Sequence, residues 1–149
     1  MRAGDHPHQR IAARLFTALN AAAAPGGEVL FAGTRVKIAE EAFREPDLLY
    51  IPPEAKARTH RELTEGAALV MEVVSESNRS HDLRTKRRDY ADAGIPEYWI
   101  VDPDFDTVSV LTLEGSEYAV HGEFRPGSRA TSRLLPALSV DVTALFASA

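Results

Sequence analysis

The most apolar stretch of the chain runs from Ala68 to Ser75 and contains one carboxylate, Glu72. A short run that is rich in valine is typical of a strand covered on both faces. An ionised side chain inside such a strand is costly unless a cation or hydrogen bonds meet it. The pattern therefore predicts a buried strand in which Glu72 has a specific partner.

The segment that follows has the pattern of a crossover helix and a second strand. Turn residues fill Ser75 to Asp82, a helical pattern covers Leu83 to Ala93 and ends at Gly94 and Pro96, and strand character resumes over Glu97 to Val101. Two strands joined through a helix favour parallel neighbours in a right-handed unit. We therefore expect Glu72 to lie at the mouth of a strand-helix-strand unit.

The rest of the chain alternates short strands with loops and adds a helix at each end. In chain order the pattern predicts a helix from about Ile11 that Pro25-Gly26-Gly27 ends, strands at 28–32 and 34–39 joined in an antiparallel connection through Gly33, a charged loop at 40–46, a strand at 47–51, a loop at 54–67 with one helical turn, a hairpin of 107–113 and 117–121, short segments at 129–133 and 138–140, and a helix at 142–146. Residues 1–149 show no internal repeat and read as one domain.

Composition excludes several kinds of protein. A chain of 149 residues that is 44% hydrophobic and 26% charged is typical of one globular domain. No apolar run approaches the ~20 residues of a membrane span, and no signal-peptide pattern is present, so we expect a cytoplasmic protein without a membrane partner. The absence of cysteine excludes disulfide scaffolds, thiolate zinc sites and cysteine nucleophiles. Any metal site must therefore use oxygen or histidine ligands.

The charge is unevenly distributed. A net charge of -5 argues against a protein that binds nucleic acid over its whole surface, but the sequence contains one basic patch. Five basic residues fall within ten positions of the chain, namely Arg79, Arg84, Lys86, Arg87 and Arg88. Asp82 is the only acidic residue in that window. The patch has two interpretations, a nucleic-acid contact or a solvated helix face.

Three residues suggest hydrolytic chemistry. Asp47 opens one predicted strand and Glu72 lies inside another, so pairing of these strands would bring two carboxylates together, where they share a proton or hold a cation. Lys86 lies early in the predicted helix, four residues before Tyr90 on the same face. Carboxylates and an ammonium around a hard divalent ion are suited to phosphodiester hydrolysis. The structural alternatives are a strand-start acid at Asp47 and an ion pair with a core arginine at Glu72.

Four segments of the chain resemble a known family in their order and spacing. They are Glu45–Leu49, Val70–Ser75, Asp82 with Lys86 and Tyr90, and Ala93–Asp102, whose Gly-Ile-Pro-Glu-Tyr-Trp stretch is the most specific. The chain resembles the Uma-type restriction-endonuclease family, a branch of the PD-(D/E)XK nuclease superfamily, from about His8 to the C-terminus. The resemblance implies an α/β (α+β) fold, with a restriction-endonuclease-like central mixed sheet flanked by helices, and a metal-dependent nuclease that cuts DNA.

The resemblance also implies the residues of the site. Asp47 and Glu72 correspond to metal-binding carboxylates for Mg²⁺ or Mn²⁺, the backbone carbonyl of Val73 to a further ligand, and Lys86 to the catalytic lysine. The basic patch, independently of the resemblance, supplies the predicted DNA contacts, which are Arg79, Arg84, Arg87 and Arg88.

Two features depart from the pattern. The superfamily places its lysine two residues after the glutamate, where this chain has Val74, so the lysine has moved to the helix as Lys86. We also expect the domain to be shortened at its N-terminus relative to the family. Besides an active nuclease, two alternatives therefore remain open: a nuclease-like nucleic-acid-binding module without turnover, and an interaction module that forms a homodimer through a sheet edge.

Overall fold

The computed structural model describes residues 6–31, 34–60, 63–75 and 79–148. In chain order its elements are α1 (His6–Ala22), β1 (Glu28–Phe31), β2 (Arg35–Ala39), β3 (Ala42–Arg44), β4 (Leu48–Ile51), a 3₁₀ segment (Pro53–Arg58), β5 (Thr59–His60), β6 (Leu63–Thr64), β7 (Leu69–Val73), α2 (Arg79–Asp92), β8 (Glu97–Asp102), β9 (Thr107–Glu114), β10 (Glu117–Phe124), β11 (Arg129–Thr131), β12 (Ser139–Asp141) and α3 (Val142–Phe146). The predicted connection through Gly33 and the part of the predicted turn at residues 76–78 lie outside these ranges.

A six-stranded mixed sheet forms the centre of the fold, in the order β1-β4-β7-β8-β9-β10. β7 and β8 are parallel, whereas the other neighbouring pairs are antiparallel. The helix α2 connects β7 to β8, so the predicted strand-helix-strand unit is confirmed, and with it the predicted central mixed sheet flanked by helices.

The two faces of this sheet bury separate apolar clusters. On one face Leu69, Met71 and Val73 pack with Leu15 and Leu19 of α1. On the other face, which α2 covers, the cluster contains Val70, Tyr90 and Tyr98. Side chains alternate along a strand, so Glu72 shares the α2 face with Val70. The long apolar run of β7 therefore reflects burial on both sides, as its sequence predicts.

The region before β7 differs from the sequence-based expectation. β1 pairs with β4, whereas β2 pairs with β3 and β6, so the antiparallel pairing expected between 28–32 and 34–39 is wrong and the two strands belong to different sheets. Part of the expected loop at 40–46 is β3. The chain reverses between β2 and β3 with Glu41 at φ 61°, a conformation that glutamate rarely adopts, so the local sequence carries no turn signal for this hairpin.

The C-terminal region agrees with its sequence pattern. β9 and β10 form the expected hairpin, in which Gly115 has φ 67°, and β11 pairs with β12. The helix α3 covers the expected residues, and the Asp141 side chain caps it by accepting a hydrogen bond from the Ala144 amide. Within the described ranges, no helix combines the length and the apolar character that a membrane crossing requires.

Glu97 fastens the C-terminal segment to the start of β8. Its carboxylate is 1% exposed and accepts hydrogen bonds from Trp99 Nε1 at 2.8 Å and from the Ser132 hydroxyl at 2.5 Å. It also accepts from the backbone amides of Arg133 and Leu134, both at 3.0 Å. Four neutral donors thus satisfy a buried carboxylate, which makes Glu97 a structural residue.

We predict that Glu97→Ala lowers the free energy of unfolding by about 3 to 5 kcal/mol, because it leaves several buried donors without an acceptor. Urea unfolding measures the loss. Ser132→Ala is the matched control, since it removes one donor to Glu97 and the acceptor of the Leu135 amide, and it should cost only about 1 to 2 kcal/mol. Equal losses in the two variants would contradict the anchoring role of Glu97.

Candidate active site

Pairing of β4 with β7 positions Asp47. The strands are antiparallel, and Leu48 is the register partner of Met71, so the start of β4 lies beside the end of β7. Asp47 immediately precedes β4, and its Oδ2 accepts a hydrogen bond from the backbone amide of Val73 at 2.6 Å. The structure therefore brings Asp47 to the end of β7 that carries Glu72.

Glu72 has two partners on α2. Its side chain is almost fully buried, the Tyr90 hydroxyl donates a hydrogen bond to Oε2 at 2.6 Å, and Lys86 Nζ lies 3.3 Å from Oε1. The expected partner of the buried carboxylate is thus present, but it is a lysine and a tyrosine, not the core arginine of the structural alternative.

Helical spacing explains why these partners face the sheet together. Asp82, Lys86 and Tyr90 follow one another at intervals of four residues, which places them on one face of α2. Lys86 Nζ lies 3.1 Å from Asp82 Oδ2 as well as close to Glu72. The ammonium therefore bridges a carboxylate of the sheet and a carboxylate of the helix.

Arg44 of β3 holds the same helix from outside. Its guanidinium donates two hydrogen bonds to Asp89 Oδ2, at 2.7 and 2.9 Å, and approaches Asp82 Oδ1 at 3.9 Å. The sequence interpretation did not identify Arg44, because its partners lie 38 and 45 residues away in the chain. Its contacts restrain α2 at the turn from which Lys86 extends.

Burial dominates the electrostatics of the site. It raises the pKa of Glu72 to about 7, although Lys86 and the hydrogen bond from Tyr90 oppose the shift, and the nearby Asp47 carboxylate adds to it. Burial alone would lower the pKa of Lys86, but Glu72 and Asp82 outweigh it and the pKa is raised. Burial, reinforced by Glu72, also raises the pKa of Tyr90. Around neutral pH the site thus holds an ammonium, a neutral phenol and a carboxylate close to its titration point.

His8 is a neighbour of the site that the sequence interpretation missed. It lies in the first turns of α1, is 6% exposed, and its Nε2 is 3.6 Å from Asp47 Oδ1. In the sequence His8 forms a His-x-His pair with His6 in a polar terminus, and this spacing does not indicate a contact with Asp47. The packing of α1 against the sheet creates it.

The basic residues of α2 divide into two groups. The side chains of Arg84 and Arg88 are exposed, which leaves both interpretations of them open. Arg87 is also exposed, but it donates a hydrogen bond to the backbone carbonyl of Tyr118 at 3.2 Å and so helps to hold β10. Arg79 begins α2, and its side chain lies outside what the structure describes.

The donor set suits a hard cation with few protein ligands. No group of three histidine, cysteine, aspartate or glutamate side chains within the described ranges forms a metal cluster. The site instead offers the carboxylates of Asp47 and Glu72 and the carbonyl of Val73. Mg²⁺ is commonly held by one or two carboxylates while it keeps several waters, and Mn²⁺ also accepts carboxylate and carbonyl oxygens. The chemistry of these donors therefore fits either ion.

Comparisons with known proteins agree with this architecture. A family model described as "Putative restriction endonuclease" matches residues 1–143. A crystal structure of "a putative nuclease belonging to DUF820" from Anabaena variabilis is similar to this chain with a TM-score of 0.74 and 16% identity, and the match covers 95% of this chain and 81% of that chain. At this identity the likeness establishes a shared fold. A comparison with curated proteins found no match.

We predict that Glu72→Gln changes the pH dependence of stability when no divalent ion is present. Between pH 4.5 and about 7 the folded protein retains a proton on Glu72 that the unfolded chain has released, so wild-type stability falls as the pH rises through this window. The variant cannot titrate there. The free energy of unfolding of the variant, taken relative to that of the wild type, should therefore be higher at pH 8 than at pH 5 by on the order of 3 kcal/mol.

Urea unfolding of both proteins at the two pH values measures this gain. Glu114→Gln, which replaces an exposed carboxylate in the hairpin, controls for the loss of one acid. A difference between Glu72→Gln and wild type that is the same at both pH values would refute the buried-carboxylate account.

Proposed function

The chain belongs to the Uma2 family, described as "Putative restriction endonuclease", and on that premise we propose that it is a metal-dependent nuclease that hydrolyses phosphodiester bonds in DNA. One observation carries the proposal. Asp47 precedes β4, Glu72 lies in β7 and Lys86 lies in α2, yet the hydrogen bond from the Val73 amide to Asp47 and the ion pair between Lys86 and Glu72 bring all three to one end of the central sheet. Their chemistry is that of a site for a cation and a phosphate.

In this proposal Asp47, Glu72 and the Val73 carbonyl hold Mg²⁺ or Mn²⁺. When bound, the ion polarises the phosphate and lowers the pKa of a coordinated water. The hydrogen bond from the Val73 amide fixes Asp47 Oδ2, whereas Oδ1 lies 3.6 Å from His8 Nε2 and is the oxygen that we assign to the ion. Tyr90 likewise fixes Glu72 Oε2. Both carboxylates are thus oriented by neighbouring donors, which limits the reorganisation that binding requires.

Lys86 is the protein side chain that supplies positive charge to the phosphate in this proposal. Its raised pKa keeps it protonated at neutral pH, so its ammonium stabilises negative charge that develops on the phosphate and does not serve as a base. Asp82 accepts from the same ammonium and holds it beside Glu72. This geometry supports the transfer of the lysine role from the strand to the helix.

The exposed Arg84 and Arg88 extend the positive charge away from the site. They are four residues apart on α2, so both project from one side of the helix that carries Lys86. We assign them to contacts with DNA phosphates. Arg87 contributes less, because it is engaged with the carbonyl of Tyr118.

One observation favours a second candidate, a nuclease-like binding module without turnover. Lys86 and Tyr90 already contact both oxygens of Glu72, so the buried carboxylate is satisfied within the protein. A site that has replaced its cation with an internal ammonium would look the same. Cleavage and metal binding therefore have to be measured together.

We predict that Lys86→Ala and Glu72→Gln fail in different ways. Lys86→Ala should bind Mn²⁺ much as wild type does but cut DNA more slowly, by on the order of 100-fold or more, because the ammonium acts as charge develops. Glu72→Gln should lose both metal affinity and cleavage, since it removes a ligand charge. Calorimetric titration with Mn²⁺ and cleavage of single-stranded and duplex DNA provide the measurements.

Two outcomes count against these assignments. Absence of wild-type cleavage with either ion on either substrate would favour the binding module. Cleavage by Lys86→Ala at the wild-type rate would remove Lys86 from the mechanism. Asp47→Asn is the matched variant for the metal site, and it should weaken Mn²⁺ binding as Glu72→Gln does.

We predict that charge reversal at Arg84 and Arg88 weakens DNA binding and flattens its salt dependence. Each lost phosphate contact should reduce the slope of log K against log salt by about one unit. Arg133→Glu is the control, because Arg133 is exposed beside Glu97 at the opposite end of β8 from the candidate site. Slopes that match the wild type in the Arg84 and Arg88 variants would identify these residues as a solvated helix face.

A further inference from the structure

The hairpin of β2 and β3 presents an outer face that the proposed mechanism does not use. Its register pairs Lys37 with Phe43, and Val36 with Arg44. Opposed residues of an antiparallel pair project to the same side, and the sides alternate along each strand. Arg35, Lys37 and Phe43 therefore share the outer face, whereas Val36 and Arg44 face the protein.

The inner face fixes this hairpin in place. Val36 is 2% exposed and belongs to the apolar cluster beneath α2. Arg44 is bound to Asp89 by two hydrogen bonds and approaches Asp82, which holds Lys86. The hairpin that presents the outer face thus packs against the same helix that carries the candidate catalytic lysine.

The outer face combines an exposed aromatic ring with a planar cation. Phe43 is 39% exposed, and the guanidinium carbon of Arg35 lies 5.2 Å from the centre of its ring. Among the described residues, ion pairs occupy Lys37 with Glu65 at 3.3 Å and with Glu40 at 3.6 Å, but none occupies Arg35. One cation and one partly exposed ring therefore lie together on this face.

The pair lies close to the candidate site. Phe43 precedes Asp47 by four residues, and a chain of four residues spans at most about 14 Å. That is on the order of a few nucleotides, since successive phosphates of one strand of B-form DNA are spaced ~3.4 Å along the helix axis and are further apart in an extended strand. A strand that places a phosphate at Asp47 and Glu72 would bring a nearby base to Phe43.

We propose that Arg35 and Phe43 form a stacking platform for an unpaired nucleobase, and that the nucleic acid which enters the candidate site is single-stranded DNA. The inference rests on the proposed function and adds the substrate class to it. Aromatic rings and arginine planes bind unpaired bases by stacking, without sequence preference, and the guanidinium also meets the adjacent phosphate. Bases inside a duplex are already stacked and cannot offer their faces to the ring.

Tryptophan fluorescence of Phe43→Trp tests the platform directly. The chain has one natural tryptophan, Trp99, which is fully buried, so the added signal reports on position 43. Titration with oligo(dT) in EDTA, where no cleavage occurs, should quench this signal to saturation, and a duplex of equal length should not. Val120→Trp is the control, since Val120 is 59% exposed on β10 at the opposite edge of the sheet from β1 and its signal should not change.

Affinity provides a second, independent measurement. Phe43→Ala should bind oligo(dT) roughly 5- to 100-fold more weakly, as expected for the loss of one stacked base, whereas Phe43→Trp should retain wild-type affinity. Phe43 is 39% exposed, so Phe43→Ala also removes some packed apolar surface; affinities are therefore measured well below the melting temperature of each variant, which separates lost binding from lost folding. Arg35→Gln should weaken binding in the same direction.

The outcomes separate the platform from the nuclease. If Phe43→Trp shows no quenching while the protein binds oligo(dT), or if duplex quenches equally, the platform is refuted even when the wild type cuts DNA. Stronger quenching by oligo(rU) than by oligo(dT) would overturn the assignment to DNA. If quenching occurs as expected but no DNA is cut with Mg²⁺ or Mn²⁺, the platform stands and the nuclease proposal fails.

Discussion

The burial of Glu72 in the middle of β7 is the constraint on which the candidate site depends. A carboxylate on the inner face of a central strand is stable only if donors meet it, and Lys86 and Tyr90 are those donors. Their positions on α2 fix how this helix lies across the sheet. The arrangement of the site therefore follows from the burial of this carboxylate, and burial raises the pKa of Glu72 to about 7 even though both partners oppose the shift.

The network around Arg44 extends this constraint to the sheet that contains β2 and β3. Arg44 binds Asp89 and approaches Asp82, and Asp82 in turn binds Lys86. A displacement of the β2–β3 hairpin would thus shift Asp82 and, with it, the Lys86 ammonium beside Glu72. These contacts give a physical reason for the hairpin surface to act together with the site. A DNA strand bound at Phe43 would contact the hairpin whose Arg44 restrains the helix that positions Lys86.

The sequence predicts those features that depend on short-range pattern. The apolar run around Glu72 indicates a doubly covered strand, and the following helical segment indicates a parallel neighbour; both are present. The proximity of Asp47 to Glu72 was predictable because two strands separated by one loop commonly pair. These regularities were sufficient to find Asp47, Glu72 and Lys86 as neighbours, while their roles remain predictions.

Other features depend on contacts that no local pattern encodes. His8 reaches Asp47 only because α1 packs along the sheet, and a histidine near a polar terminus has no spacing that indicates such a contact. Arg44 finds its partners Asp82 and Asp89 on α2, far along the chain, and the β2–β3 turn before it has an unusual conformation at Glu41. The separation of β1 and β2 into different sheets likewise follows from which edges are available in three dimensions, because both strands have sequences that would fit a simple hairpin.

Glu72 and Glu97 show why burial alone does not identify a functional carboxylate. They lie on neighbouring parallel strands, and both are almost completely buried. Glu97 accepts from four neutral donors that surround both of its oxygens and tie the C-terminal segment to the sheet. Glu72 has one phenol and one ammonium, with a second carboxylate close by, an arrangement in which one more cation would be stabilised by both acids. The type of partner, and not the depth of burial, therefore distinguishes Glu97, which holds the fold, from Glu72, which we propose as a ligand of a metal ion.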